Sequence, residues 1–226
     1  MLNNLLNEKN DRKLLSVFAL LSVIIALAYR CLFGFFNVDS YSTTSYSFSY
    51  LNYGLSSRML LGTVYDLLCK VLPFLYSWQG LFAFMLLLAL GFAFTLYKFA
   101  DYVLCKFNDP GIRRNILCIS ALAFMWLIPS YIAGQNFGKT DTFIFIINII
   151  QAYLLIENKH EWLVPLLSLL GVLTHEGYLC MTAPVIIAIQ VYKAVKAPKD
   201  RKTILLASFR FKFDTYLRSS GLFCFL

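Results

Sequence analysis

Apolar runs long enough to cross a lipid bilayer, joined by short basic segments, decide what this chain can fold into. A helix needs about 20 apolar residues to span the hydrocarbon core. Such runs lie at residues 14–36, 81–97, 116–133 and 142–156, and a fifth extends over 163–192. Inside lipid each run has to satisfy its backbone polar groups within itself, which for separate runs of this kind means helices. The composition agrees: 59% hydrophobic and 14% charged, with a mean hydropathy of +0.67, against about 45–50% and about 25% in soluble domains. The fold class expected is all-α, a polytopic membrane helical bundle. The formal charge of +8 falls between the apolar runs, where it reads as a topology signal. Nucleic acid is not an expected partner; the bilayer is.

The fifth run is about 30 residues, roughly 45 Å as a helix, too long for one ordinary span. It is interrupted at Thr174-His175-Glu176-Gly177. A titratable pair at membrane depth costs a few kcal/mol unless it faces protein or water, so the interruption is the natural place for the chain to turn. Two short helices then cover 160–174 and 178–192. Residues 59–76 are apolar but contain Asp66, Lys70 and Pro73. Leu60, Leu61, Val64, Leu67, Leu68 and Val71 recur at helical spacing, which predicts an amphipathic helix lying in the membrane interface.

Loop charge selects among the topologies. With the N-terminus cytoplasmic, 59–76 interfacial and the fifth run split, thirteen basic residues fall inside: Lys9, Arg12, Lys13, Lys98, Lys106, Arg113, Arg114, Lys159, Lys193, Lys196, Lys199, Arg201 and Lys202. Three fall outside: Arg58, Lys70 and Lys139. The expectation is therefore a cell-membrane protein with a transmembrane domain over 1–202, about six spans, and both ends of that domain inside. The first run follows basic residues as a signal peptide does. Its length and the lack of a small-residue cleavage site favour a retained first helix. Residues 203–226 read as a cytoplasmic surface segment or as the end of a truncated chain. Cys31, Cys105, Cys118 and Cys180 show neither disulfide nor zinc spacing.

This topology gathers the unusual polar residues on the outer face. The first outer loop holds Asp39, a Ser/Tyr-rich run, then Asn52-Tyr53-Gly54 and Arg58; the second holds Lys139-Thr140-Asp141; the third holds His175-Glu176. Each has a plain structural alternative. Asp39 can be a solvated loop carboxylate, and the Ser/Tyr run a wet interfacial loop. Tyr53-Gly54 suits a turn, and Arg58 can anchor the following helix. Lys139 and Asp141 can pair locally at a helix start. His175-Glu176 can be a hydrogen-bonded pair that fixes the helix break. The functional reading is a recessed cavity for a substrate with a phosphate and a polar sugar. Arg58 and Lys139, with Tyr53 and Asp141, would bind it; Asp39, His175 or Glu176 would move an acceptor proton. His175 and Glu176 are adjacent, about 100° apart on a helix, so a divalent metal is weakly indicated and the cofactor is left open.

In these residues the chain resembles bacterial polytopic glycosyltransferases of the GT-C type, through Asp39 in the first outer loop, the interfacial segment 59–76 and the polar later loops. The likeness covers about residues 10–195 and is one of layout. It implies a polyprenyl-phosphate-linked sugar donor used at the outer face in envelope glycan assembly, with Asp39 or Glu176 as base in an inverting transfer. Two features depart from that group: Asp39 stands alone where many members carry adjacent acidic residues, and about six spans replace eight or more. Polysaccharide polymerases and ligases rely on Arg and His, which Arg58 and His175 could supply. The alternatives are a small-solute or proton-coupled transporter, with His175-Glu176 as relay, and a non-catalytic subunit of a larger membrane complex. Single cysteines placed at Ser40, Lys139 and Gly177 are expected to react with an impermeant thiol reagent added outside intact cells. Labelling of any of them only from the cytoplasmic side would break the shared outer face.

Overall fold

The computed structural model describes residues 2–34, 38–54, 59–175, 178, 180 and 182–196, with side chains described between residues 9 and 191. Among the described residues every regular element is helical. The order is α1 (Leu2–Phe33), α2 (Ser40–Ser47), α3 (Tyr50–Tyr53), α4 (Leu60–Val71), a 3-10 turn (Pro73–Tyr76), α5 (Trp78–Lys106), α6 (Pro110–Ile132), α7 (Asp141–Glu157), α8 (Leu163–Thr174) and α9 (Ala183–Lys196). Three of these are long and apolar enough to cross a membrane: Lys9–Phe33 within α1, α5 and α6. Their outward faces carry Leu20, Ile25, Leu87, Phe94, Leu122 and Trp126, each 59–77% exposed. An apolar belt of that extent is unfavourable in water and at home in lipid.

α1 packs along α6 and against α5; α5 packs on α6 and α7, and α7 on α8. The core between them is built on Leu15, Phe92, Leu104, Phe124, Ile128 and Ile132, with Phe92 edge-on to Tyr131 at 5.4 Å. Ionic contacts close one end of the bundle. Arg12 grips Asp101 through Nε at 2.7 Å and Nη2 at 3.0 Å. Arg113 Nε donates to Asp11 at 3.0 Å, and Lys106 meets Glu157 at 3.1 Å, where Tyr102 also donates its hydroxyl proton. The ends of α1, α5, α6 and α7 are tied together there by fork-like and charge-assisted bonds.

The other end is closed by Arg30, in the last turn of α1 and only 3% exposed. Its Nη1 donates to the carbonyl of Ile132 at 3.0 Å, the last residue of α6. The guanidinium lies 3.6 Å from the centre of the Phe137 ring and 5.1 Å from that of Phe82. A cation at a helix C-terminus answers both the orphan carbonyl and the negative end of the helix dipole, and the two rings add cation–π attraction.

The helix in the fifth apolar run ends at the expected interruption. α8 ends at Thr174, His175 is extended (φ −164°, ψ 129°), and α9 begins at Ala183. Tyr178 then turns back into the bundle, 1% exposed. Its hydroxyl donates to Gln151 Oε1 at 2.8 Å and lies 3.1 Å from Ser168 Oγ. Gln151 in turn donates to Ser168 Oγ at 2.9 Å and to the Val164 carbonyl at 3.1 Å. The ring lies against Gly171, where a Cβ would meet Tyr178 Cδ2 at 2.5 Å.

Two expectations change. Residues 59–76 form two elements, because Pro73 has no N–H and restricts Leu72, which sits at φ −124°, ψ 82° between them. The Ser/Tyr run is the helix α2 rather than an irregular loop. Its hydroxyls fold back on the preceding turn, Thr43 and Thr44 donating to the Ser40 carbonyl and Ser45 to that of Tyr41 at 2.8–2.9 Å, while Ser42 and Tyr46 are buried. The expected segment 203–226 lies outside the described residues. Replacing Arg30 with Ala is expected to destabilise the bundle by about 2–4 kcal/mol, and with Lys by about half that, since Lys keeps the charge but not the planar stack. Loss of helicity during denaturing-detergent titration would measure both.

Candidate functional site

α2, α3 and α4 lie across the end of the bundle closed by Arg30. α2 and α3 pack on α4, and α4 touches α8. Ser49 caps α3 by accepting from Leu51 N–H at 3.2 Å, and Gly54 ends it at φ +75°. Tyr50 N–H donates to Thr63 Oγ1 at 2.8 Å, fastening α3 to α4. The Tyr50 hydroxyl reaches the Leu173 carbonyl at 3.1 Å in the last turn of α8. Gly62 lets α4 approach so closely that a Cβ there would sit 1.9 Å from the Phe48 carbonyl oxygen. Ser77 caps α5 by accepting from Gly80 N–H at 3.1 Å. A buried cluster of Tyr46, Leu61, Tyr65, Phe82, Met85 and Phe137 fills the space beneath.

Between these elements is a cavity of about 420 Å³, walled by Tyr46, Tyr65 and Asp66, with Asn52, Tyr76 and Trp78 also lining it. That size falls in the range of small-molecule pockets, about 300–1,000 Å³. Asp66 accepts from Ser49 Oγ at 3.2 Å and faces Lys70 Nζ at 3.6 Å, one helical turn on. Tyr65 donates its hydroxyl to the Leu75 carbonyl. The Tyr46 hydroxyl is buried and has no hydrogen-bond partner among the described residues. Burial pushes the Tyr46 and Tyr65 phenols well above the ordinary tyrosine range, so both stay neutral. Val64, Leu67, Leu68 and Val71 form an exposed apolar stripe on α4. At 100° per residue Asp66 lies nearly opposite that stripe. α4 thus shows an apolar face outward and a carboxylate toward the cavity.

Of the residues picked out from sequence, the described ones share this end of the bundle but not the cavity. Asp39 is exposed and precedes α2, with no side-chain capping bond. Tyr53 is exposed and stacks edge-on against Phe48 at 5.3 Å. Lys139 follows Gly138, which at φ +77° lies against Met85; its Nζ donates to Asn136 Oδ1 at 2.9 Å, not to Asp141. Asp141 occupies the first turn of α7, where the helix dipole favours it. His175 is half-buried; its N–H donates to the Gly171 carbonyl and its own carbonyl accepts from Tyr178 N–H, both at 3.0 Å. Arg58 and Glu176 lie outside the described residues. Asp39, Tyr53, Lys139 and Asp141 make no hydrogen bond or ion pair with one another among the described residues. Nor does any group of three His, Cys, Asp or Glu side chains gather there as for a metal.

Two residues that matter here drew no functional reading from the sequence. Asp66 was visible only as a lone acid on an apolar stretch, and its position opposite the 64-67-68-71 stripe was the available signal. Arg30 lay inside an apolar run, where an isolated cation on a spanning helix is itself a signal. The chain matches no family model, no curated protein and no solved structure. Gly62→Ala is expected to push α4 away from residue 48 and cost about 1–3 kcal/mol, as overpacking against backbone does. A lowered thermal midpoint, with faster thiol labelling of the buried Cys69, would report it.

Proposed function

We propose that this is a six-span membrane protein with a cytoplasmic N-terminus, and that it acts on polyprenyl-phosphate-linked sugars at the outer face in envelope glycan assembly. The observation that carries the reading is the carboxylate-bearing cavity at the bundle end opposite the ion-paired one, beside the exposed apolar stripe of α4. A lipid-linked substrate needs this pairing: an apolar surface level with the membrane interface and a polar recess next to it. In this reading the ion-paired end is cytoplasmic, in keeping with the charge bias of its loops.

Asp66 becomes the first candidate for general base. It would take the proton of an acceptor hydroxyl as that oxygen bonds to the anomeric carbon and the lipid phosphate leaves. Asp39, exposed at the start of α2, would serve at the rim. Lys139, Asp141 and His175 belong to neighbouring connections at the same end, and Arg58 and Glu176 keep their proposed roles in phosphate binding and proton transfer. A larger glycan-assembly complex is a proposed partner.

Complementation of a surface-glycan defect tests the assignment. Asp66→Asn is expected to reduce glycan output by about 10²-fold, the scale of a lost general base, at unchanged protein level. Asp39→Asn is expected to have a smaller effect. Full activity in Asp39→Asn, Asp66→Asn and His175→Ala alike would remove the transferase assignment.

A further inference from the structure

We propose that the cavity between α2, α3, α4 and the start of α5 binds an organic ammonium group, held by Asp66 and enclosed by Tyr46, Tyr65, Tyr76 and Trp78. The proposal rests on the cavity and not on the transferase reading. Three observations point to a cation that carries N–H groups. First, the charged residue lining the cavity is a carboxylate, half-buried and already oriented by Ser49 Oγ at 3.2 Å. Beside that carboxylate a cation is favoured over an anion at the same depth, which leaves a lipid-linked phosphate at the rim outside the cavity. Second, four aromatic side chains line the same space. Tyr46 and Tyr65 stand nearly edge to face at 6.0 Å, and both are more than nine-tenths buried. Aromatic walls around one carboxylate suit an organic cation, which gains from ring quadrupoles as well as from the charge. A calcium ion takes about six to eight oxygen ligands, carboxylates prominent among them, and a single carboxylate among aromatic rings is a poor match for it. Third, Tyr46 is 3% exposed and its hydroxyl has no partner among the described residues. A buried hydroxyl left unsatisfied is costly; it does not open onto the cavity as it stands, and a shift of the Tyr46 ring on binding would let it accept a proton from a ligand N–H.

Lys70 supports the assignment by example. Its own ammonium sits 3.6 Å from Asp66, on a side chain 55% exposed. Such an exposed one-turn pair is weak, so a ligand ammonium can displace it. The shared chemistry fits either an aminated lipid headgroup, entering beside the apolar stripe of α4, or a free amine.

The test uses the full chain, purified in detergent and also embedded in nanodiscs. Ethanolamine is titrated by calorimetry at constant ionic strength. Retention of phosphatidylethanolamine over phosphatidylglycerol is read by native mass spectrometry. Saturable binding of ethanolamine is expected if a free amine can enter; selective retention of phosphatidylethanolamine alone would identify the lipid headgroup as the source. Asp66→Asn should weaken whichever binding is seen about tenfold or more. Lys70→Gln should strengthen it severalfold by removing the internal competitor. Circular dichroism confirms that each variant keeps its helicity. The proposal is overturned if neither probe binds, if Asp66→Asn binds as the wild type does, or if Lys70→Gln weakens binding. Amine binding without any sugar transfer would uphold this site and remove the transferase reading.

Discussion

The guanidinium of Arg30 is the contact on which the polar end of this bundle depends. It stands at the end of α1, caps α6 through the Ile132 carbonyl and carries Phe137 on its face. Phe137 then belongs to the cluster that supports Tyr46, Tyr65 and the floor of the cavity. One buried cation therefore links a long helix pair, the connection to α7 and the platform of short helices. A charge at that depth is made tolerable by the Ile132 carbonyl dipole and the Phe137 and Phe82 rings. Removing it would leave the Ile132 carbonyl without this donor and Phe137 without its cation partner.

The two ends of the bundle solve the problem of charge near lipid differently. At one end Arg12, Arg113 and Lys106 are matched with Asp101, Asp11 and Glu157, so the basic residues that bias the loops also stitch helices together. At the other end, among the described residues, Asp66 pairs with Lys70. Further polar contacts there are made by hydroxyls, Tyr50 on Leu173 and Ser49 on Asp66. That difference leaves room for a cavity at the second end. At the second end the platform of short helices, joined by single hydrogen bonds, encloses the cavity that Asp66 lines.

The break at His175 has a structural role independent of any chemistry. α8 is twelve residues long, roughly 18 Å at 1.5 Å per residue, short of a full crossing of the hydrocarbon core. The chain beyond it is held by Tyr178, whose ring lies on Gly171 and whose hydroxyl enters a network that uses both Gln151 Nε2 protons and the Ser168 hydroxyl proton. The return of the chain is thus held in part by a side chain three residues past the histidine, and in part by the His175 backbone, which bonds to Gly171 and Tyr178.

The sequence by itself determined the helical class, the apolar spans of α1, α5 and α6, the helix start at Asp141, the interruption after Thr174 and the amphipathic nature of α4. Each follows from local physics: run length, periodicity, the missing N–H of Pro73, and the cost of polar groups in apolar runs. Only the tertiary structure decided which polar residues meet. Asp39 looked like the carboxylate of interest because it stood alone in a loop, yet it faces outward. Asp66 looked like a flaw in an apolar helix, yet it faces a cavity because Val64, Leu67, Leu68 and Val71 turn the other side of α4 outward. Helicity in the Ser/Tyr run likewise rests on burial of Tyr46 in one cluster with Leu61 and Tyr65 of α4 and on the Thr43, Thr44 and Ser45 hydroxyls, which the preceding turn satisfies. Spacing along a chain fixes the face a residue shares with its neighbours on one helix; what that face meets is set by contacts between segments far apart in sequence, as between Arg30 and Ile132 or Tyr50 and Leu173.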